Sequence, residues 1–213
     1  MVDFLNRLIF LSTVCCVKAK LKRQYMKYLF FDTECANCFG GKGKIYSFGF
    51  LETDEKFNII TPPQDLLINP DCKFDPYVKK NILVYDRAYL KTMPKFNEMY
   101  ETIKKLMCGK DVICFGYGIE NDLRFLADDC KRYSLPLIKA KIYDVQKLIK
   151  IVEDRPARKL DLEFTQKFGE QEGRAHRSDV DAVRTMMIAK KVCETAGKTP
   201  LQIYAMETKK ANN

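Results

Sequence analysis

The sequence predicts an α/β fold: a five-stranded mixed sheet, an antiparallel meander followed by parallel strands, with helices on both faces. Three observations predict it. Three strand-like apolar runs come first, joined by short connections, as in a meander. Two further apolar runs follow, alternating with segments of helical period, as in β-α-β crossovers. The chain has 213 residues, enough for one domain with a full core.

The elements follow in order. Residues 27–32 hold Tyr28, Leu29, Phe30 and Phe31 in succession and read as a buried strand. A Gly-rich stretch, 38–44, turns the chain. IYSFGFL at 45–51 reads as a second strand, and KFNIIT at 56–61 as a third, stopped by Pro62 and Pro63. Residues 62–93 are irregular, with short helical pieces. Phe96, Met99, Tyr100, Ile103 and Met107 recur at helical spacing after Pro94. Val112 to Phe115 is a strand ending in a Gly-Tyr-Gly turn, and Asn121 can cap the helix beyond it. A short strand spans 141–143. Helical patterns cover 145–152, 159–168 and about 178–195. Strands 1, 4 and 5 are expected to run parallel, so their carboxyl ends form the usual crevice for a site.

The net charge is +9, and Lys and Arg recur along the whole chain. A polyanionic partner explains that balance, as does a solvated lysine-rich surface. Nine cysteines without a framework spacing point to free thiols in a reducing compartment, so a cytoplasmic location is expected. CANC, Cys35 to Cys38, lacks a second pair for a structural zinc site and does not open a helix as a redox pair does. The apolar run at 8–17 is too short to span a bilayer as a helix, and no membrane partner is expected. It can also be read as a signal-peptide core, against which stands Asp3. We read residues 1–25 as a dispensable extension, 26–196 as the domain and 197–213 as a tail.

Carboxylates gather at the predicted strand ends. Alternation places Asp32 and Glu34 on one side of strand 1. Like charges that close repel unless a cation sits between them. By themselves they fit a turn acid and a surface acid equally well. Asp122 follows strand 4, and alone it reads as a first-turn helix charge. AHRSDVDA, residues 175–182, carries His176, the only histidine, five residues before Asp181. Ser178 and Asp181 also fit an S-x-x-D capping pattern, which is compatible with a metal role.

DTE at 32–34, the ND of IENDLRFL and HRSDVDA together resemble the three motifs of the DEDDh 3'-5' exonucleases. That family includes ribonuclease T and the proofreading subunit of bacterial replicative polymerase, and its fold is ribonuclease H-like. The likeness spans about residues 28–192, with IYDVQKL, LDLEFTQKFG and AVRTMMIAKK as supporting stretches. Arg177 stands where the tyrosine variant of the superfamily carries Tyr, so the histidine subtype is indicated. Tyr117, Gly118 and Asn121 depart from the common pattern before the second motif; none is a usual metal ligand, and the departure bears on substrate choice.

The resemblance implies a metal-dependent hydrolase that shortens single-stranded DNA or RNA from 3' ends and releases 5'-mononucleotides. It implies two Mg2+ or Mn2+ ions about 4 Å apart. Asp32 would bridge them, Glu34 and Asp181 would complete one, and Asp122 would hold the other. His176 would be the general base. Thr33, Phe39 and Arg177 are candidate substrate-binding residues: Phe39 for stacking on the terminal base, Arg177 for phosphate. Asp179 competes with Asp181, and the family interval from His176 selects Asp181. Asp144 and Asp179 are read as helix capping and solvent. The rival reading is a nucleic-acid-binding or DNA polymerase-tethering module on the same fold; it predicts a missing acid or histidine, yet all five positions are filled.

Overall fold

The computed structural model describes residues 26–37, 43–170 and 176–211, the last four by backbone alone. The predicted extension, Cys38 and Phe39 lie outside the described residues. Five strands form one sheet in the order β3-β2-β1-β4-β5. They are β1 (Lys27–Cys35), β2 (Ile45–Thr53), β3 (Ile59–Leu67), β4 (Val112–Gly116) and β5 (Ile142–Asp144). β1 is central and pairs antiparallel with β2 and parallel with β4; β4 and β5 are parallel. The predicted meander and parallel set are both present.

The eight helices among the described residues are α1 (Pro76–Asn81), α2 (Arg87–Lys91), α3 (Phe96–Met107), α4 (Glu120–Arg132), α5 (Val145–Glu153), α6 (Leu160–Phe168), α7 (Ser178–Ala196) and α8 (Pro200–Ala211). Strand alternation decides which of them each side of β1 meets. Leu29 and Phe31 face Ile103 of α3 and Phe125 and Leu126 of α4. Tyr28 and Phe30 face Leu148 of α5, Phe164 of α6 and Ala182 and Met186 of α7. Both faces are apolar because both are covered. Each such fully buried side chain contributes on the order of 2–3 kcal/mol through water exclusion.

Three local expectations are corrected. β3 does not stop at Pro62: it runs on to Leu67. Phe50 pairs with Gln64 and Glu52 with Thr61, so Pro62 and Pro63 together oppose the single residue Leu51. That bulge, on an edge strand, accommodates residues that have no N–H for the ladder. Asn121 does not cap α4. The helix already begins at Glu120, and the Asn121 side chain accepts from Arg124 instead. Within the stretch expected as a tail, residues Pro200–Ala211 form a helix that packs on the domain. α8 buries Ile203 in the core, and the Tyr204 hydroxyl donates to the Asp144 carbonyl.

Candidate active site

Asp32 and Glu34 lie at the carboxyl end of β1, half-buried, with buried Thr33 between them. Alternation turns the two acids toward the face covered by α7. That helix starts directly above them because β2 has Gly49 there. A Cβ at Gly49 would lie 2.0 Å from the Ser178 carbonyl carbon, so only glycine admits this approach. Asp181, in the first turn of α7, completes the convergence. Carboxylate oxygens of Asp32, Glu34 and Asp181 all lie within 4.8 Å of one another.

Asp122 reaches the site from the opposite face, in the first turn of α4. It lies outside that three-carboxylate set. Its Oδ1 accepts from the Thr33 amide at 2.9 Å and from the Thr33 hydroxyl at 2.5 Å. Three of the four acids therefore meet, with the fourth held beside them by the residue between the first two.

His176 precedes α7 with its backbone at φ +66°, a left-handed conformation that is uncommon for a side-chain-bearing residue. Its amide donates to Asp181 Oδ2 at 3.2 Å. Its exposed imidazole stands 3.8 Å, Nδ1 to Oε1, from Glu34. The other Asp181 oxygen accepts from Arg184 at 3.2 Å, and Arg184 also reaches Asp161 of α6 at 2.8 Å.

The electrostatics fit the crowding. Burial, then the negative charges of Asp181, Asp122 and Asp65, pushes Glu34 up to about 8. Asp32 is raised well above the ordinary carboxylate value by burial and by Asp122, Glu34 and Asp181. Burial raises Asp122 to about 6 against the opposing Thr33 bonds. It raises Asp181 to about 6 against the pull of Arg184. Hard oxygen donors crowded together are the chemistry a Mg2+ or Mn2+ ion requires, so Asp32, Glu34 and Asp181 fit such an ion.

Other sequence-predicted residues have different surroundings. Arg177 makes a two-pronged ion pair with Asp179, whose carboxylate is thus engaged rather than solvated. Asp144 caps α5 through the Gln146 amide and also accepts from Gly118. Ser178 is no capping residue: it is the first helical residue, fully buried, with its hydroxyl against Ser47 and Asp65. Cys35 is buried.

Asp65 was not singled out by the sequence. It accepts from Ser47 at 2.7 Å, Ser178 at 3.2 Å and the Tyr85 hydroxyl at 2.5 Å. The signal was an acid within an apolar-flanked run, hidden because two prolines looked like the end of the strand before it.

The sequence profile of the RNase T exonuclease family matches residues 29–189. No curated protein sequence matches the chain. Among solved structures, a 3'-exonuclease recognising the 3' end of the histone mRNA stem-loop is similar with a TM-score of 0.70 at 15% identity, over 80% of this chain and 82% of that one. A full-length 3'-exonuclease gives 0.71 at 14% identity, over 82% and 84%. E. coli exonuclease I, in a zinc-bound complex with single-stranded DNA, gives 0.67 at 18% identity, over 79% of this chain but only 41% of that one. The shared architecture is the ribonuclease H-like fold.

Proposed function

This chain belongs to the RNase T exonuclease family, and from that premise we propose that it removes 5'-mononucleotides stepwise from the 3' end of single-stranded nucleic acid. The observation that carries the proposal is the meeting of Asp32, Glu34 and Asp181 within 4.8 Å, with His176 beside Glu34. Two acids of one strand and a third from α7 are costly to bring together when Arg184, paired with Asp181, is the cation bonded among them. The family membership supplies the reaction class that needs them.

Asp32, Glu34 and Asp181 would hold one divalent ion, and Asp122 with Asp32 a second. When bound, Mg2+ or Mn2+ makes water more acidic and neutralises charge on the phosphate and leaving oxygens. The remaining work falls to the protein. The His176 imidazole, the only histidine side chain in the sequence, stands beside the cluster and accepts the proton of the attacking water. Its exposure suits a group that must pass that proton on to solvent. Arg184 and the His176 amide fix the two Asp181 oxygens, and Thr33 fixes Asp122. Asp181 and Asp122 are thereby pre-oriented before substrate arrives. The surrounding +9 charge favours a polyanionic strand, while the acids form a local exception to it.

Free thiols at Cys72, Cys108, Cys114, Cys130 and Cys193 support a reducing, cytoplasmic setting. Among the described residues no helix is long and apolar enough to cross a membrane. A DNA polymerase partner is suggested by the family resemblance alone, and co-purification with a polymerase would test it.

The test of the activity uses 5'-labelled single-stranded RNA and DNA with Mg2+, with Mn2+ and with chelator. Stepwise 3' shortening that chelator abolishes is expected, and Asp32→Ala, still folded, should lose it. His176→Ala should still bind the strand while turnover falls by about 10²–10⁴-fold. Shortening from the 5' end, or activity indifferent to chelator, refutes the proposal.

A further inference from the structure

A groove of about 1000 Å³ lies apart from the carboxylates, between α1, α2 and the loop that follows β3. Lys73, Lys79, Arg87, Lys91 and Lys95 line it, against a single acid, Asp71. Lys95 and Asp71 pair with each other at 2.7 Å. Among the described residues no acid is paired with the other four cations, and all four are exposed. Like charges are gathered there at a cost in mutual repulsion that a bound anion would relieve.

The groove is a built feature rather than a loose loop. Its floor is buried Leu90 and half-buried Phe74, whose ring packs on Tyr46. Asn69 closes one end through its amide bond to the Pro94 carbonyl and its side-chain bond to the Lys91 carbonyl. The walls are also tied to the catalytic end of the sheet. Val78 of α1 and Leu90 of α2 are buried against Ala36, two residues beyond Glu34. The Asp75 amide donates to the Ala36 carbonyl. Tyr85, between the two helices, donates to Asp65, which in turn holds Ser178 at the start of α7.

From this placement we propose that the groove binds the phosphate backbone of the single-stranded substrate away from its 3' end, while that end is cut at the carboxylates. The proposal rests on the exonuclease reading above for the identity of the strand. A basic channel that follows the backbone is how proteins hold single strands without reading sequence. The volume exceeds what one nucleotide needs, which suits a run of several phosphates. A long strand then gains affinity that a dinucleotide cannot.

The test is the triple variant Lys79→Ala, Arg87→Ala, Lys91→Ala, all at exposed positions on short helices. Binding is read by fluorescence anisotropy in chelator, with a labelled strand of about twenty nucleotides. Affinity should fall at least about tenfold at low salt, and the log–log salt slope should shrink by about 0.7 for each phosphate the variant no longer neutralises. Turnover of a dinucleotide should stay at the wild-type level. Unchanged strand affinity and slope would overturn the proposal, as would an equal loss of dinucleotide turnover. Polyglutamate displacing the strand as readily as unlabelled strand would also overturn it, by making the groove an unselective anion surface. A wild-type protein that binds strand through these residues but cuts nothing would refute the exonuclease reading and leave the groove standing.

Discussion

Thr33 donates both its amide and its hydroxyl to one oxygen of Asp122, joining the middle of the first motif on β1 to the start of α4 across 89 residues of sequence. The pair lies on the α4 face of the sheet, while the neighbouring Asp32 and Glu34 turn toward α7. It sets where the fourth acid stands relative to Asp32, whose protonation responds most, after burial, to Asp122.

Thr33→Val keeps the branched shape and the amide bond but removes the hydroxyl. Bonds to charged acceptors are worth about 1.5–3 kcal/mol, so a stability loss in that range is expected by denaturant unfolding. Asp122 should then be less well aimed. Turnover at saturating Mg2+ should fall by about tenfold or more, with strand affinity nearly unchanged. Wild-type turnover in a destabilised variant would show that this bond serves the fold alone.

Metal binding should release protons. In the metal-free protein Glu34 titrates near 8, Asp122 and Asp181 near 6, and Asp32 is also raised. At pH 7 the folded cluster therefore holds protons that the unfolded chain, with ordinary carboxylates, has lost. The metal-free fold should lose stability as pH rises from about 4 through 8, because the native state binds more protons there. A divalent ion needs the ionised forms, so its affinity should rise with pH to about 8 and then level off. Calorimetry at pH 7 in buffers of different ionisation enthalpy should show on the order of one proton released per site filled. No buffer dependence would contradict the crowding.

The seat of α7 should be sensitive to single atoms. Gly49→Ala drives a methyl into the Ser178 backbone, where no flexible side chain can yield. A loss of about 1–3 kcal/mol is expected from the forced shift. Because α7 carries Asp181, weaker Mg2+ affinity should accompany it. Asp65→Ala approaches the same seat from β3, leaving three hydroxyl groups without their acceptor. Asp65→Asn, which retains an acceptor, should recover most of the Mg2+ affinity that Asp65→Ala loses. Equal Mg2+ binding by all three variants would mean that this seat does not position the site.

The central strand and the helices were legible because each has a strong local period. Tyr28 to Phe31 form an unbroken apolar run that reads as a strand buried on both faces, and α3 repeats its apolar residues at helical spacing. Asp32, Glu34, Asp122, His176 and Asp181 were legible through the resemblance of DTE, the ND of IENDLRFL and HRSDVDA to the family's motifs, since spacing alone left each acid with a capping, turn or surface reading. The end of β3 was not legible, because Pro62 and Pro63 look like a stop unless one knows that the strand is at an edge and can bulge. Asp65 was hidden with it.

By itself, then, the sequence determined the order of the elements, the faces of β1 and which five residues were candidates for the chemistry. The folded chain alone decided that three carboxylates share one point while Asp122 is tied to Thr33, that Gly49 lets α7 approach, and that five cations from α1, α2 and their flanking loops line one groove. The reason is range. Periodicity and capping act over a few residues, where backbone geometry is fixed, whereas these arrangements join positions many residues apart, whose distances only the packing of helices on both sides of the sheet can set.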